Sequence, residues 1–308
     1  MTKPIQIRMS GYGPATTCFS RALKFIGDKL VAEFGSDVDV KYVWNVMEFG
    51  YRAEDIIWLV ESGVLTLGYQ SSSYLTDRIP ELGMVDLPFL FRDNDAARSA
   101  MDGKLGKFLT EKVEERTNFR VIGWFENGFR HISNRLREIR TPADLKGMRI
   151  RVLPSDVQAR TFELLGAEPY KCDLTEALAA IKAGTVDAQE NPLANTVTYG
   201  AHKFHPFITL TSHFYVSRPI FVYRTAFDAW PKALQQAMRK AVQEAVAIQR
   251  NDTVEEERAA RKAIEEAGGK ITELTLGEQA AFAAAVMPQL DDAESVYGKE
   301  MMRLAAGR

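Results

Sequence analysis

The order of periodicities from Ile5 to Tyr69 constrains this chain most. Ile5-Gln6-Ile7-Arg8-Met9 alternates like a strand, Gly11-Tyr12-Gly13-Pro14 breaks it, and Ala15 to Phe34 carries apolar residues at helical spacing up to Gly35. Val38 to Trp44 alternates again, and Ala53 to Glu61 reads as a helix stopped by Ser62-Gly63. Val64 to Tyr69 is short and apolar, like a parallel strand buried on both faces. A β-α-β-α-β order demands crossover connections and receives ligands at the carboxyl ends of its strands, here near Ser10, Asn45 and Gln70.

The rhythm then restarts. A helix is expected from Asp95 to Glu115 and a strand from Arg120 to Phe125, followed by strands at Arg130 to Ser133, Met148 to Val152 and Thr185 to Ala188, with helices Asp156 to Leu165 and Thr175 to Ala183 between them. Pro231 opens the longest helical stretch, Lys232 to Ala267, which ends at Gly268-Gly269. At 1.5 Å per residue it reaches roughly 54 Å, more than one lobe's width. A further helix is expected from about Leu276 to the tail. The fold class is therefore α/β with two lobes and a long helix spanning both. The first lobe is expected at 1–127 plus about 214–250, the second at 128–213 plus about 251–308 with the C-terminal helices.

Charge narrows the partners. In 308 residues, 39 Lys+Arg against 41 Asp+Glu leave a net −2 without a basic cluster, so no nucleic-acid partner is expected. No apolar run reaches the length of about 18 residues that a membrane span needs, and the Ala-rich tail is interrupted by Glu278, Gln279 and Gln289. Cys18 and Cys172 fall in different lobes and neither demand nor exclude a disulfide. The chain enters its first strand straight from Met1-Thr2-Lys3-Pro4 without a signal peptide, so it is expected to be either cytoplasmic or a mature form whose signal was removed.

Enzyme-like motifs are thin. Gly11-x-Gly13-x-x-Thr16 lies between a strand and a helix, where a pyrophosphate would sit in a dinucleotide-binding oxidoreductase. The second strand, however, ends Val43-Trp44-Asn45 with no acid for the ribose, so a glycine turn allowing close backbone approach fits better. No G-x-S-x-G elbow occurs, and the four histidines, His131, His202, His205 and His213, are expected to face solvent or cap elements. No Cys or carboxylate lies between Asn191 and Phe227 to complete a metal site with them, so neither metal nor other cofactor is expected. Glu255-Glu256-Glu257-Arg258 with Arg261, Lys262, Glu265 and Glu266 reads as a solvated helix face. Arg149 and Arg151 alternate with Ile150 and Val152, so a guanidinium on this strand needs an anionic partner. Spacing leaves a structural acid and a bound carboxylate equally open.

Gly128-Phe129-Arg130-His131-Ile132-Ser133-Asn134, followed by Thr141-Pro142-Ala143-Asp144-Leu145-Lys146-Gly147-Met148-Arg149-Ile150-Arg151-Val152, resembles the signature of solute-binding proteins of tripartite ATP-independent periplasmic (TRAP) transporters, the DctP family. Leu87-Pro88-Phe89-Leu90-Phe91, Leu164-Leu165-Gly166-Ala167-Glu168-Pro169 and Gly184-Thr185-Val186-Asp187-Ala188-Gln189-Glu190-Asn191-Pro192 follow the same family in order, so the resemblance covers nearly the whole chain. It implies a type II periplasmic-binding-protein fold whose lobes hinge shut on a small-molecule carboxylate and deliver it to TRAP membrane permease subunits. The protein would be non-catalytic and periplasmic, with its signal peptide removed. It also implies that Arg151 forms the salt bridge to the ligand carboxylate, that Arg130 supports it, and that Asn191 lies beside it. Tyr12, Gln70, Ser71, Tyr74 and Tyr51 would approach from the other lobe, and Leu174 and Phe214 complete the candidate ligand-binding set.

The chain departs from the family in its first lobe, where Thr66 and the neutral Gln70-Ser71-Ser72-Ser73-Tyr74 replace acids found in many relatives. A carboxylate with an apolar, aromatic or hydroxylated tail is therefore expected in preference to one bearing an amine or second acid. A dinucleotide-binding oxidoreductase and a cytoplasmic ligand sensor of the same fold are the rival functions.

Overall fold

The computed structural model describes residues 3–305. Met1, Thr2 and Ala306 to Arg308, which the expected lobes took in, lie outside the described residues. Among the described residues the strands are β1 (Ile5–Ser10), β2 (Val38–Val43), β3 (Leu67–Tyr69), β4 (Phe119–Asn134), β5 (Arg149–Val152), β6 (Glu168–Lys171), β7 (Ala188–Asn191), β8 (Phe207–Tyr223) and β9 (Lys270–Glu273). Two compact units result. The first takes in the chain up to Ser71, Thr110–Glu126 and Ser217–Val254; the second takes Ser72–Leu109, Asn127–Val216 and the chain from Glu255 onward. β4, β8 and the helix Lys232–Glu266 contribute residues to both.

In the first unit β1 is the middle strand, parallel to β2 over Ile5↔Val38 to Ser10↔Val43 and to β3 at Met9↔Leu67. β3 pairs antiparallel with the end of β8 at Leu67↔Val222. The helix Cys18–Phe34 lays Leu23 and Ile26, fully buried like Ile7, Met9 and Leu67, into this unit's core. Burying each such side chain favours folding by about 1.5–3 kcal/mol. The helix begins later than Ala15, because Thr17 is its N-cap and accepts the Ser20 N–H; it ends at Gly35 with φ +53°. Gly11 confirms the close-approach reading: its N–H donates to Val43 O at 3.1 Å, and a Cβ there would lie 2.6 Å from Tyr69 Oη.

In the second unit β4 pairs antiparallel with β7 (His131↔Asn191), β7 runs parallel to β5 (Arg151↔Gln189), and β5 runs parallel to β6. Ile132, Ile150, Val152, Phe162 and Phe214 form its apolar core. The segment 72–109, expected in the first lobe, belongs here. Asp86 is fully buried in this unit and its Oδ1 accepts from Ser73 Oγ at 2.7 Å and Gln158 Nε2 at 3.1 Å, while Thr76 Oγ1 donates to Pro154 O at 3.3 Å. These bonds tie the segment to the loop and helix after β5.

Glycine and proline explain the other differences. The expected helix Asp95 to Glu115 is two, Asn94–Asp102 and Lys104–Arg116, parted at Gly103. Two expected strands are the single β4, which passes through Gly128 at φ +87° without stopping, a conformation glycine adopts freely. The tail helix is three, Leu276–Ala285, Met287–Tyr297 and Lys299–Ala305, with Pro288 in the first turn of the second and Gly298 at φ +84° before the third. β3 begins at Leu67 rather than Val64, β7 runs Ala188–Asn191 rather than Thr185 to Ala188, and β6, β8 and β9 were not anticipated. The helix Lys232–Glu266 is 35 residues, about 52 Å at 1.5 Å per residue.

Candidate functional site

The carboxyl ends of β5 and β7 in the second unit present Arg151 and Asn191. Because β5 and β7 are parallel and pair Arg151 with Gln189, those two side chains leave the same face, and Asn191 joins them two residues on. Arg151 is 1% exposed. Its Nε and Nη2 donate to the carbonyl of Cys172 at 3.2 and 2.8 Å, and Nη2 also reaches Tyr74 Oη at 3.3 Å. A carbonyl and a phenol are dipoles, not counter-ions. Burial works against the guanidinium's charge, but Tyr74, Cys172 and the field of Glu190 outweigh it and hold Arg151 protonated.

Arg130 is placed differently. It is 1% exposed and ion-paired with the fully buried Glu190: Nε contacts Oε2, while Nη2 donates to Oε1 at 2.8 Å and to the Glu190 carbonyl at 2.7 Å. Burial pushes the Glu190 carboxyl up, yet Arg130's charge and hydrogen bonds, with help from His213, hold it below the usual carboxylate range. Glu190 thus neutralises Arg130, and among the described residues no acid lies within hydrogen-bond range of Arg151.

The histidines do not follow the solvent-facing expectation. His205 is fully buried with Nδ1 3.2 Å from Ser133 Oγ, and burial, then Arg135, pushes it down to about 4. His213 is buried with Nδ1 2.6 Å from Thr211 Oγ1 and Nε2 3.7 Å from Glu190 Oε2; burial lowers it as well. His131 Nδ1 accepts the N–H of Ser212 at 3.2 Å, and burial, His213 and Arg130 push it down to about 3. All three are neutral at pH 7. Burial pushes Asp86 up to about 6, against hydrogen bonds from Ser155, Ser73 and Gln158 and the charge of Arg130. Glu257, read as part of a solvated face, instead accepts the backbone N–H groups of Leu193 and Ala194 at 3.1 and 3.0 Å, and burial pushes it up to about 7.

Of the other candidates, Tyr74 lies in the second unit with Arg151 rather than across from it, and its hydroxyl accepts the Leu174 N–H at 3.0 Å. Leu174 opens the helix Leu174–Ala183, and Phe214 packs edge-on to Phe162 at 6.0 Å within the core. In the first unit Tyr12 lies near Arg218, which is 3% exposed and stands over the rings of Phe19 at 4.1 Å, Tyr12 at 5.0 Å and Tyr69 at 5.7 Å. Gln70 donates to Ala53 O at 2.7 Å and accepts the Ser71 N–H at 2.8 Å, so its amide braces the main chain, and Ser71 is buried beside it. Tyr51 is 39% exposed and packs edge-on against Trp58. Glu190 escapes sequence reasoning, although it precedes Asn191 in the family-like stretch Gly184 to Pro192, because the expected strand ends at Ala188. Cys18 and Cys172 are both buried and are not joined in a disulfide. Among the described residues no group of three or more His, Cys, Asp or Glu could hold a metal ion, and no helix is long and apolar enough to cross a membrane.

Comparison with known proteins places the chain in a family. Residues 23–295 match the family described as bacterial extracellular solute-binding protein, family 7 (DctP). A solute-binding protein of Verminephrobacter eiseniae is 33% identical over 240 residues, 78% of this chain and 71% of the relative. The 2,3-diketo-L-gulonate-binding periplasmic protein YiaO of Escherichia coli K12 is 32% identical, covering 78% of this chain and 73% of its own. The crystal structure of the sugar acid binding protein DctPAm from Advenella mimigardefordensis, in complex with galactonate, superposes with a TM-score of 0.93 at 27% identity over 100% of this chain and 98% of that one. The fold is thus the two-lobed type II periplasmic-binding-protein fold, and the chain belongs to bacterial extracellular solute-binding protein family 7, the DctP family of TRAP solute-binding proteins.

Proposed function

We propose that this chain is the periplasmic receptor of a TRAP transporter, that it binds a sugar-acid monocarboxylate through Arg151, and that it delivers this ligand to the transporter's membrane subunits without chemical change. The observation that carries the reading is the buried Arg151 guanidinium, held among the described residues by a carbonyl and a phenol and by no acid. A buried cation of this kind favours an anionic partner with two oxygens in matching geometry. Arg130, already neutralised by Glu190, supports the site electrostatically, so of these two arginines it is Arg151 that is left for a carboxylate. The sugar-acid names of two relatives, YiaO and DctPAm, favour a hydroxylated tail.

The test is calorimetric titration with D-galactonate, succinate and D-galactose. D-Galactonate binds most tightly, succinate less tightly because Arg130 is already paired with Glu190, and D-galactose shows no heat of binding. D-Galactose binding as tightly as D-galactonate would remove the carboxylate from the recognition scheme.

A further inference from the structure

The polar side chains beside Arg151 form a continuous chain of amides. Asn195 Nδ2 donates to Asn127 Oδ1 at 3.0 Å and to Asn191 Oδ1 at 3.2 Å. Asn191 Nδ2 donates to Gln189 Oε1 at 3.2 Å, and Gln189 Nε2 donates to Thr196 Oγ1 at 3.2 Å. All five residues are buried, with Asn195 the most exposed at 9%. Water is therefore a poor substitute for a lost partner, and a mismatched donor or acceptor carries its full desolvation cost.

This burial makes amide direction a property of the whole chain. Turning Asn191 around alone would set its NH2 against the NH2 of Asn195 and its carbonyl against the carbonyl of Gln189, a donor clash and an acceptor clash together. Asn195 has committed both amide hydrogens, one to Asn127 and one to Asn191, so it has none to give a ligand. Asn191 has committed one of its two, which leaves one Nδ2 hydrogen on the strand face it shares with Gln189 and Arg151.

We propose that Asn195 is a positioning residue for ligand binding, fixing the Asn191 amide so that Nδ2 keeps one hydrogen for a ligand oxygen held by Arg151. The proposal rests on the reading that Asn191 and Arg151 face the ligand. It assigns a function to the short helix Leu193–Thr198, which follows β7 after Pro192 and brings Asn195 and Thr196 back onto Asn191 and Gln189.

The experiment is a double-mutant cycle read by calorimetric titration with D-galactonate. Asn191→Ala and Asn195→Leu each weaken binding by about tenfold, the worth of one well-placed hydrogen bond. Combined, they weaken it no further than Asn191→Ala alone, since Asn195 then has nothing to position. A merely structural role would give independent losses that multiply to about a hundredfold. Asn195→Asp repeats the cycle with a side chain of the same shape that only accepts at neutral pH, so the result does not depend on Asn195→Leu folding. The outcomes separate cleanly. Multiplying losses, or wild-type affinity in both Asn195 variants, overturn the positioning role while leaving Asn191 at the ligand; wild-type affinity in Asn191→Ala overturns the placement of Asn191 itself.

Discussion

Replacing Glu190 by glutamine tests how the buried charges are arranged. Glu190 is fully buried and supplies both carboxylate oxygens and its carbonyl to Arg130, itself 1% exposed. Glutamine keeps the shape and the main-chain bond at 2.7 Å but turns one oxygen into a donor facing a guanidinium donor and leaves Arg130's charge unpaired. Breaking one side of a buried ion pair costs about 3–5 kcal/mol. With an unfolding entropy of about 2.1 cal/mol/K per residue, 308 residues give ~0.65 kcal/mol/K, so the unliganded melting temperature falls by roughly 5–8 °C. The assay is thermal unfolding followed by circular dichroism at pH 7.5. The double variant Arg130→Met with Glu190→Leu should recover most of the loss, because removing both charges leaves neither stranded. In Glu190→Gln the Arg130 charge is left uncompensated, so on the proposed reading succinate gains affinity relative to D-galactonate. A melting temperature within a degree of the parent would refute the claim that Glu190 is what neutralises Arg130.

Two further variants probe the parts around the site. The Asp86 carboxyl is pushed up to about 6 by burial, so its contribution to stability is fully present below its unfolded pKa near 3.8 and is lost as pH rises through 6. Asp86→Asn should therefore gain about 2–3 kcal/mol relative to the parent between pH 4 and pH 7 in urea unfolding, and a pH-independent difference would contradict this. Gly11→Ala places a methyl 2.6 Å from Tyr69 Oη and 3.1 Å from Trp44 O, so it should destabilise by about 1–3 kcal/mol, and an unchanged urea midpoint would show that this approach is looser than described.

The elements legible in the sequence are those whose periodicity meets a clear stop. β1, β2 and the helix Cys18–Phe34 were bounded by Gly11 and Gly35, and the helix Lys232–Glu266 by Pro231 and Gly268. β8 was missed because Phe214 to Val222 is buried throughout, so the polar alternation that marks a half-exposed strand is absent. The expected strands Arg120 to Phe125 and Arg130 to Ser133 are one strand that runs through Gly128 at φ +87°, and the expected helix Asp95 to Glu115 is divided at Gly103. At the site, alternation raised Arg149 and Arg151 without deciding their partner, and the family motifs pointed to Arg151, Arg130 and Asn191. Neither could show that Glu190 takes Arg130's hydrogen bonds, that Tyr74 sits with Arg151, or that Glu257 reaches the N–H groups of Leu193 and Ala194, since these contacts join residues far apart in sequence.

The central claim is that Arg151 is held ready for a carboxylate and does not hold the fold together. Arg151→Lys keeps the charge but loses the planar fork that donates through Nε and Nη2. Losing one arm of a buried charged contact costs about 2 kcal/mol at the low end, or roughly thirtyfold in Kd. The measurement is the affinity of this variant for D-galactonate beside its unliganded melting temperature. The predicted result is at least a thirtyfold loss of affinity with the melting temperature held within a few degrees; unchanged affinity with a lowered melting temperature would make Arg151 a structural residue and contradict the account.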